Sequence, residues 1–120
     1  MDRLIEELED NIYQRWLRKF DYSTQSLLDF CEYSIWYHTG KHTGITLRTP
    51  REMVARALSE DREFLIAKAK PLFGKNVEIQ VILWPEELMH MKNKQVDILP
   101  VAGEGFLTVV PKSHEQRVGV

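Results

Sequence analysis

Leu4, Ile5, Leu8, Ile12, Trp16 and Phe20 recur every three or four residues, with Glu6, Glu7, Glu9, Asp10, Arg15 and Lys19 between them. The spacing predicts an amphipathic helix ending near Phe20, whose apolar stripe must be covered by the domain's own sheet or by a partner helix. Residues 21–24 form a polar break, and Ser23 or Thr24 is placed to N-cap a second, shorter helix over residues 25–30. The period then changes. YSIWYHT at residues 33–39 is rich in β formers, GKHTG supplies turn residues, and ITLRT resumes a period-2 alternation. A β-hairpin is expected here.

Thr49-Pro50-Arg51-Glu52 predicts a helix start, with Thr49 as cap, Pro50 in the first turn and Glu52 completing a capping box. Met53, Val54, Ala57 and Leu58 supply the apolar face of that helix. Ser59-Glu60-Asp61 is a second start signal, and Phe64, Leu65, Ala69 and Leu72 follow at helical spacing. These are two helices or one bent helix. Pro71 weakens the last turn and Gly74 is placed to end it. VEIQVIL at residues 77–83 alternates and then turns fully apolar, as a covered strand does. Trp84-Pro85-Glu86-Glu87 predicts one or two helical turns through Met91. VDILP and FLTVV flank AGEG and form either a terminal hairpin or a partly ordered tail.

The expectation is therefore a single α+β domain over residues 1–110, with a frayed tail over 111–120. Its core is a small three-stranded sheet, extended if the C-terminal hairpin forms, with helices packed on one face. A chain of 120 residues, 43% hydrophobic and 28% charged, can support such a core without covalent staples. A net charge of −2 gives no global pull toward nucleic acid or membrane. Cys31 is the sole cysteine, so no intramolecular disulfide can form. No apolar run approaches the roughly 18–20 residues a bilayer requires. A cytoplasmic, soluble protein without membrane contact is expected.

Candidate chemistry is sparse. His38 and His42 straddle a glycine-bearing turn and His90 sits in MHMK, without the Cys or carboxylate company a zinc site needs. Cys31 lies among large apolar residues, where a thiol behaves as a small hydrophobe. The acidic pairs Glu60-Asp61 and Glu86-Glu87 fit helix starts rather than acid–base work. No metal, cofactor or catalytic residue is assigned, and an enzyme or sensor near Cys31 and His38 is the minor alternative. Arg48, Arg51, Arg56 and Lys75 form a candidate nucleic-acid-binding set if they share a face, with Trp36 or Tyr37 stacking on bases. Trp16, Trp36 and Tyr37 are the candidate protein-contact residues.

Residues 45–83 also resemble a known arrangement. Ile45-Thr46-Leu47, the proline-started Pro50-Arg51-Glu52-Met53, the early aromatic Phe64, Gly74 and the alternating strand after it are similar to the N-terminal, KH-like domain of the bacterial replication initiator DnaA. The DciA helicase-loader domain shares the same order. The likeness covers about a third of the chain, and the segment after Trp84 has no counterpart in it. It implies a non-enzymatic docking module associated with DNA replication, contacting a helicase, a regulator or another copy of itself. A weak single-stranded nucleic-acid-binding domain is the alternative.

Overall fold

The computed structural model describes residues 2–37, 43–89, 96–100 and 105–111. Among the described residues, four helices and a five-stranded mixed sheet make an α+β fold, with a larger sheet than the sequence predicts. The helices are α1 (Asp2–Leu17), α2 (Tyr22–Leu28), α3 (Glu52–Glu60) and α4 (Arg62–Phe73). The strands are β1 (Glu32–Tyr37), β2 (Thr43–Thr49), β3 (Glu78–Leu83), β4 (Val96–Pro100) and β5 (Leu107–Pro111), in the spatial order β1-β2-β3-β5-β4. β1 and β2 are antiparallel, as the hairpin reading expects, while the turn at 38–42 lies outside the described residues. β2 and β3 run parallel, which requires a long crossover, and α3 with α4 supplies it.

The C-terminal hairpin forms and joins the sheet. β5 docks parallel to β3 through Ile82↔Leu107 and Leu83↔Thr108, and β4 pairs antiparallel with β5 on the outside. Of the tail expected to fray, 111–120, Pro111 instead closes β5 opposite Val96, and residues 112–120 lie outside the described residues.

Several helix ends differ from their sequence reading. α2 begins earlier, because Asp21 rather than Ser23 or Thr24 is the cap: its Oδ1 accepts the Thr24 N–H at 3.0 Å. Hydrogen bonding from Thr24, by its side chain and then by this N–H, holds the Asp21 carboxyl below the usual carboxylate range. Thr49 does not cap α3. It ends β2, wholly buried, and its Oγ1 accepts the Arg51 N–H at 3.2 Å. Glu52 turns forward to Arg56 at 2.8 Å instead of closing a capping box. α3 and α4 are two helices meeting at Asp61, and Gly74 ends α4 with φ of +114°, a conformation glycine adopts without a Cβ penalty. The segment after Trp84 is a short 3-10 turn, Glu86–Leu88, within the stretch expected to be helical.

All four helices feed one core. Trp16 from α1, Leu28 from α2, Leu58 from α3 and Leu65 from α4 are fully or almost fully buried against Ile45, Leu47 and Ile79 of the sheet. Each such side chain contributes about 1.5–3 kcal/mol relative to exposure. Met53, expected on the apolar face of α3, points to solvent instead at 84% exposure; Ala55 takes the inward position. Tyr13 of α1 stacks on Tyr33 of β1 with centroids 3.7 Å apart, and the Tyr33 hydroxyl donates to Asp10 at 2.9 Å. Burial, followed by that bond to Asp10, pushes the Tyr33 phenol up to about 12. The domain itself thus covers the C-terminal part of the stripe, Trp16 and Phe20, while Leu8 is 60% exposed.

Candidate functional site

Side chains alternate across a strand, so register assigns each sheet position to a face. One face carries Tyr33, Leu47 and Val81 in a row, then Ile35, Ile45 and Ile79, and the helices lie on it. The opposite face carries Ser34–Thr46–Gln80, Trp36–Gly44–Glu78 and Glu32–Arg48–Ile82–Leu107. Ile98 of β4 follows, opposite Val109. No described helix of α1–α4 covers this second face. Among the described residues the 3-10 turn reaches it, where Leu88 joins Ile82, Trp84 and Val109 in a small separate apolar cluster.

Arg48 is the unusual member. The alternation ITLRT places it on the uncovered face beside Thr46, yet the residue is only 7% exposed. Its Nη1 donates to Ser34 Oγ at 2.7 Å, and its guanidinium carbon lies 5.7 Å from the Trp84 ring centroid. Nη2 is buried without a hydrogen-bond partner, and Glu32 Oε1 stands 3.9 Å from it. Loss of water around the group lowers its pKa, and the Glu32 charge pushes it back up. Trp84 is held by its own bond, Nε1–H to Leu88 O at 2.6 Å.

Beside Arg48, Trp36 donates Nε1–H to Thr46 Oγ1 at 3.1 Å, and the Thr46 hydroxyl donates to Gln80 Oε1 at 3.4 Å. Thr46, Gln80 and Arg48 help frame a groove of about 260 Å3. Ser34, Thr46 and Gln80 form its polar side, Ile82, Trp84 and Ile98 its apolar side, and Arg48 lies among them. Ile98 is 48% exposed at the rim. The groove presents hydrogen-bond donors within an apolar frame, an arrangement suited to binding an oxygen acceptor.

The structure separates the candidate residues that the sequence grouped. Trp16 is a core residue, fully buried, with Nε1–H donating to Leu65 O at 3.2 Å, so it is not available to a partner. Trp36 is half-buried on the uncovered face. Tyr37 ends β1, and its side chain lies outside the described residues. The four basic candidates do not come together. Arg48 is buried on the uncovered face, Arg51 places its guanidinium 4.8 Å from the Phe30 ring, Arg56 pairs with Glu52 on exposed α3, and Lys75 is exposed in the turn after α4.

Cys31 is half-buried; its thiol donates to Leu27 O at 3.7 Å, and burial pushes its pKa up to about 12. A thiol so poised is a poor nucleophile. His38, His42 and His90 lie outside the described residues, and among the described residues no cluster of three metal-ligating side chains occurs. No described helix is long and apolar enough to cross a membrane. Sequence reasoning missed Ser34, Gln80 and Ile98, which carry no motif and gain meaning only through register. Comparison with family models, curated proteins and solved structures finds no match to this chain.

Proposed function

We propose that this chain is a non-enzymatic docking module that receives a protein partner on the uncovered face of its sheet. One observation carries the reading: all four described helices pack on one face, and the other presents the exposed Ile98 and the Arg48 groove. Aromatic and arginine side chains at a partly desolvated patch are the groups that dominate protein interfaces. The association with DNA replication rests on the resemblance of residues 45–83 alone, and a helicase, a regulator or a second copy are the partners it suggests.

Weak single-strand binding has less support. Its four basic residues are dispersed, and Glu32 and Glu78 share the uncovered face with Arg48. Site-specific photo-crosslinking in the native cell tests the docking reading, with the crosslinker at Ile98 and, as a control, at Phe64 among the helices. A discrete protein adduct from position 98 and none from 64 is expected. The reverse pattern would overturn the docking face. An adduct lacking any replication protein would remove the replication association, and an adduct with itself would identify self-association.

A further inference from the structure

Among the described residues the sheet has two outer strands, β1 and β4, and the sequence guards them unequally. β4 carries Asp97 and ends on Pro100, and charges and prolines are the usual protection of a sheet edge. β1 reads EYSIWY, with its one charge, Glu32, at the very start. It pairs with β2 residue for residue over its whole length, without a bulge. Half the backbone N–H and C=O groups of an edge strand point away from its sheet. No described strand pairs with that side of β1. A flat, largely apolar edge of this kind is a template for strand addition.

The strand is complementary to itself. Laid antiparallel to a second copy about Ser34, it sets Tyr33 against Ile35 on the helix-bearing face. The two Glu32 carboxylates then fall at opposite ends. A two-fold axis normal to the sheet relates such copies, so both helical layers stand on one side and the two α1 helices run antiparallel. α1 lies over β1, where Tyr13 and Asp10 meet Tyr33. Trp16 and Phe20 turn toward α4. At about 100° per residue, the side turned away from α4 carries Glu7, Asn11, Gln14 and Arg18. Glu7, Asn11 and Arg18 are exposed and Gln14 is half-buried.

That stripe is self-complementary too. Two copies side by side and antiparallel match Glu7 with Arg18 and Asn11 with Gln14, each pair occurring twice. Its midpoint, between Asn11 and Gln14, is the turn whose Tyr13 stacks on Tyr33, next to Ser34. Strand and helix therefore share one axis.

We infer that the outer edge of β1 receives β1 of a second copy, joining two five-stranded sheets into one beneath an α1–α1 contact. The uncovered sheet face and its groove stay open in this dimer, so the inference does not depend on the docking reading.

Sedimentation equilibrium of the full chain, from micromolar to millimolar, should show a monomer–dimer equilibrium. Glu7→Arg or Arg18→Glu alone sets like charges together at two symmetric places and should weaken the dimer roughly fivefold or more. The two substitutions combined should restore it. In a Cys31→Ser background, Ser34→Cys should form an interchain disulfide with oxidised glutathione, since directly opposed strand positions lie within disulfide reach. Ile98→Cys, exposed on the far edge of the sheet, should not.

A monomer at every concentration would overturn the dimer. So would a dimer that Ser34→Cys does not trap, one that Ile98→Cys traps as readily, or equal dimer constants for wild type and Arg18→Glu. The docking reading is judged separately by the crosslink at position 98. An adduct there with another protein, from a chain that stays monomeric, removes this inference and leaves docking standing. A trapped dimer without that adduct does the reverse.

Discussion

The Trp36 indole lies over Gly44, its cross-strand partner, so closely that a Cβ on residue 44 would overlap ring carbons Cε2 and Cζ2. The glycine is therefore required by its neighbour's ring. An aromatic packed over a strand glycine restores the side-chain contacts that the glycine itself cannot make. Gly44→Ala should displace the indole, break its bond to Thr46, and cost about 1–3 kcal/mol as overpacking does. Urea unfolding monitored with near-UV dichroism checks both effects. An unchanged midpoint with native aromatic signal would refute the contact.

Trp16 should behave as a core residue in every assay. Trp16→Phe keeps most of the ring volume but removes the indole's bond to Leu65 O, a carbonyl inside α4, a loss of about 0.5–1.5 kcal/mol. Trp16→Ala should cost about 3–5 kcal/mol. Chemical denaturation measures both, and partner capture by the folded fraction should be unaltered. A stable Trp16→Ala variant that has lost its partner would reinstate Trp16 as a contact residue.

Asp21 gives the stability of α2 an acid limit. Its carboxyl titrates lower in the folded chain than in the unfolded one, because the ionised form accepts hydrogen bonds from the Thr24 side chain and the Thr24 N–H. Its contribution is thus complete above the unfolded carboxylate value, about 3.9. It is lost as pH falls through the lower folded value. Asp21→Asn should reduce that acid sensitivity while retaining a cap, and Asp21→Ala should lower the melting temperature at neutral pH. Parallel melts between neutral and strongly acidic pH distinguish the two, and identical acid profiles for wild type and Asp21→Asn would contradict the assignment.

Arg48 should prove dispensable for folding. Replacing a poorly coordinated buried ion pair with an apolar side chain is often neutral, or stabilising by about 1–4 kcal/mol. Glu32 retains access to water, so it is not stranded by the change. Thermal melts of Arg48→Met should show a melting temperature equal to or above wild type. A large drop would mean that Arg48 is retained for stability rather than binding.

Much of this frame was legible along the chain, for reasons that particular residues make plain. Ile45 and Leu47 alternate with Thr46 and Arg48, and that period alone assigns the two faces of β2. The strand, helix, helix, strand order of residues 45–83 follows from start and stop residues such as Asp61 and Gly74. Cap identity was less legible, because Thr49 offers the right side chain while being held at the end of a buried strand, and Asp21 lies one element boundary earlier. The groove was illegible. Ser34, Thr46, Arg48, Gln80 and Ile98 come from four strands, and only the β1–β2–β3 register and the insertion of β5 bring them together.

That insertion has a consequence for cooperativity. β4 and β5 pair with each other over five residue pairs but attach to β3 over two, so a short seam joins two ladders within one sheet. The C-terminal ladder should open as its own foldon, below the free energy of global unfolding. In native-state hydrogen exchange, the amides of β5 should then lose protection in a lower-energy step than those of β2. Because Ile98 travels with that ladder, the apolar rim of the groove is carried by the less stable half of the sheet and Arg48 by the more stable half.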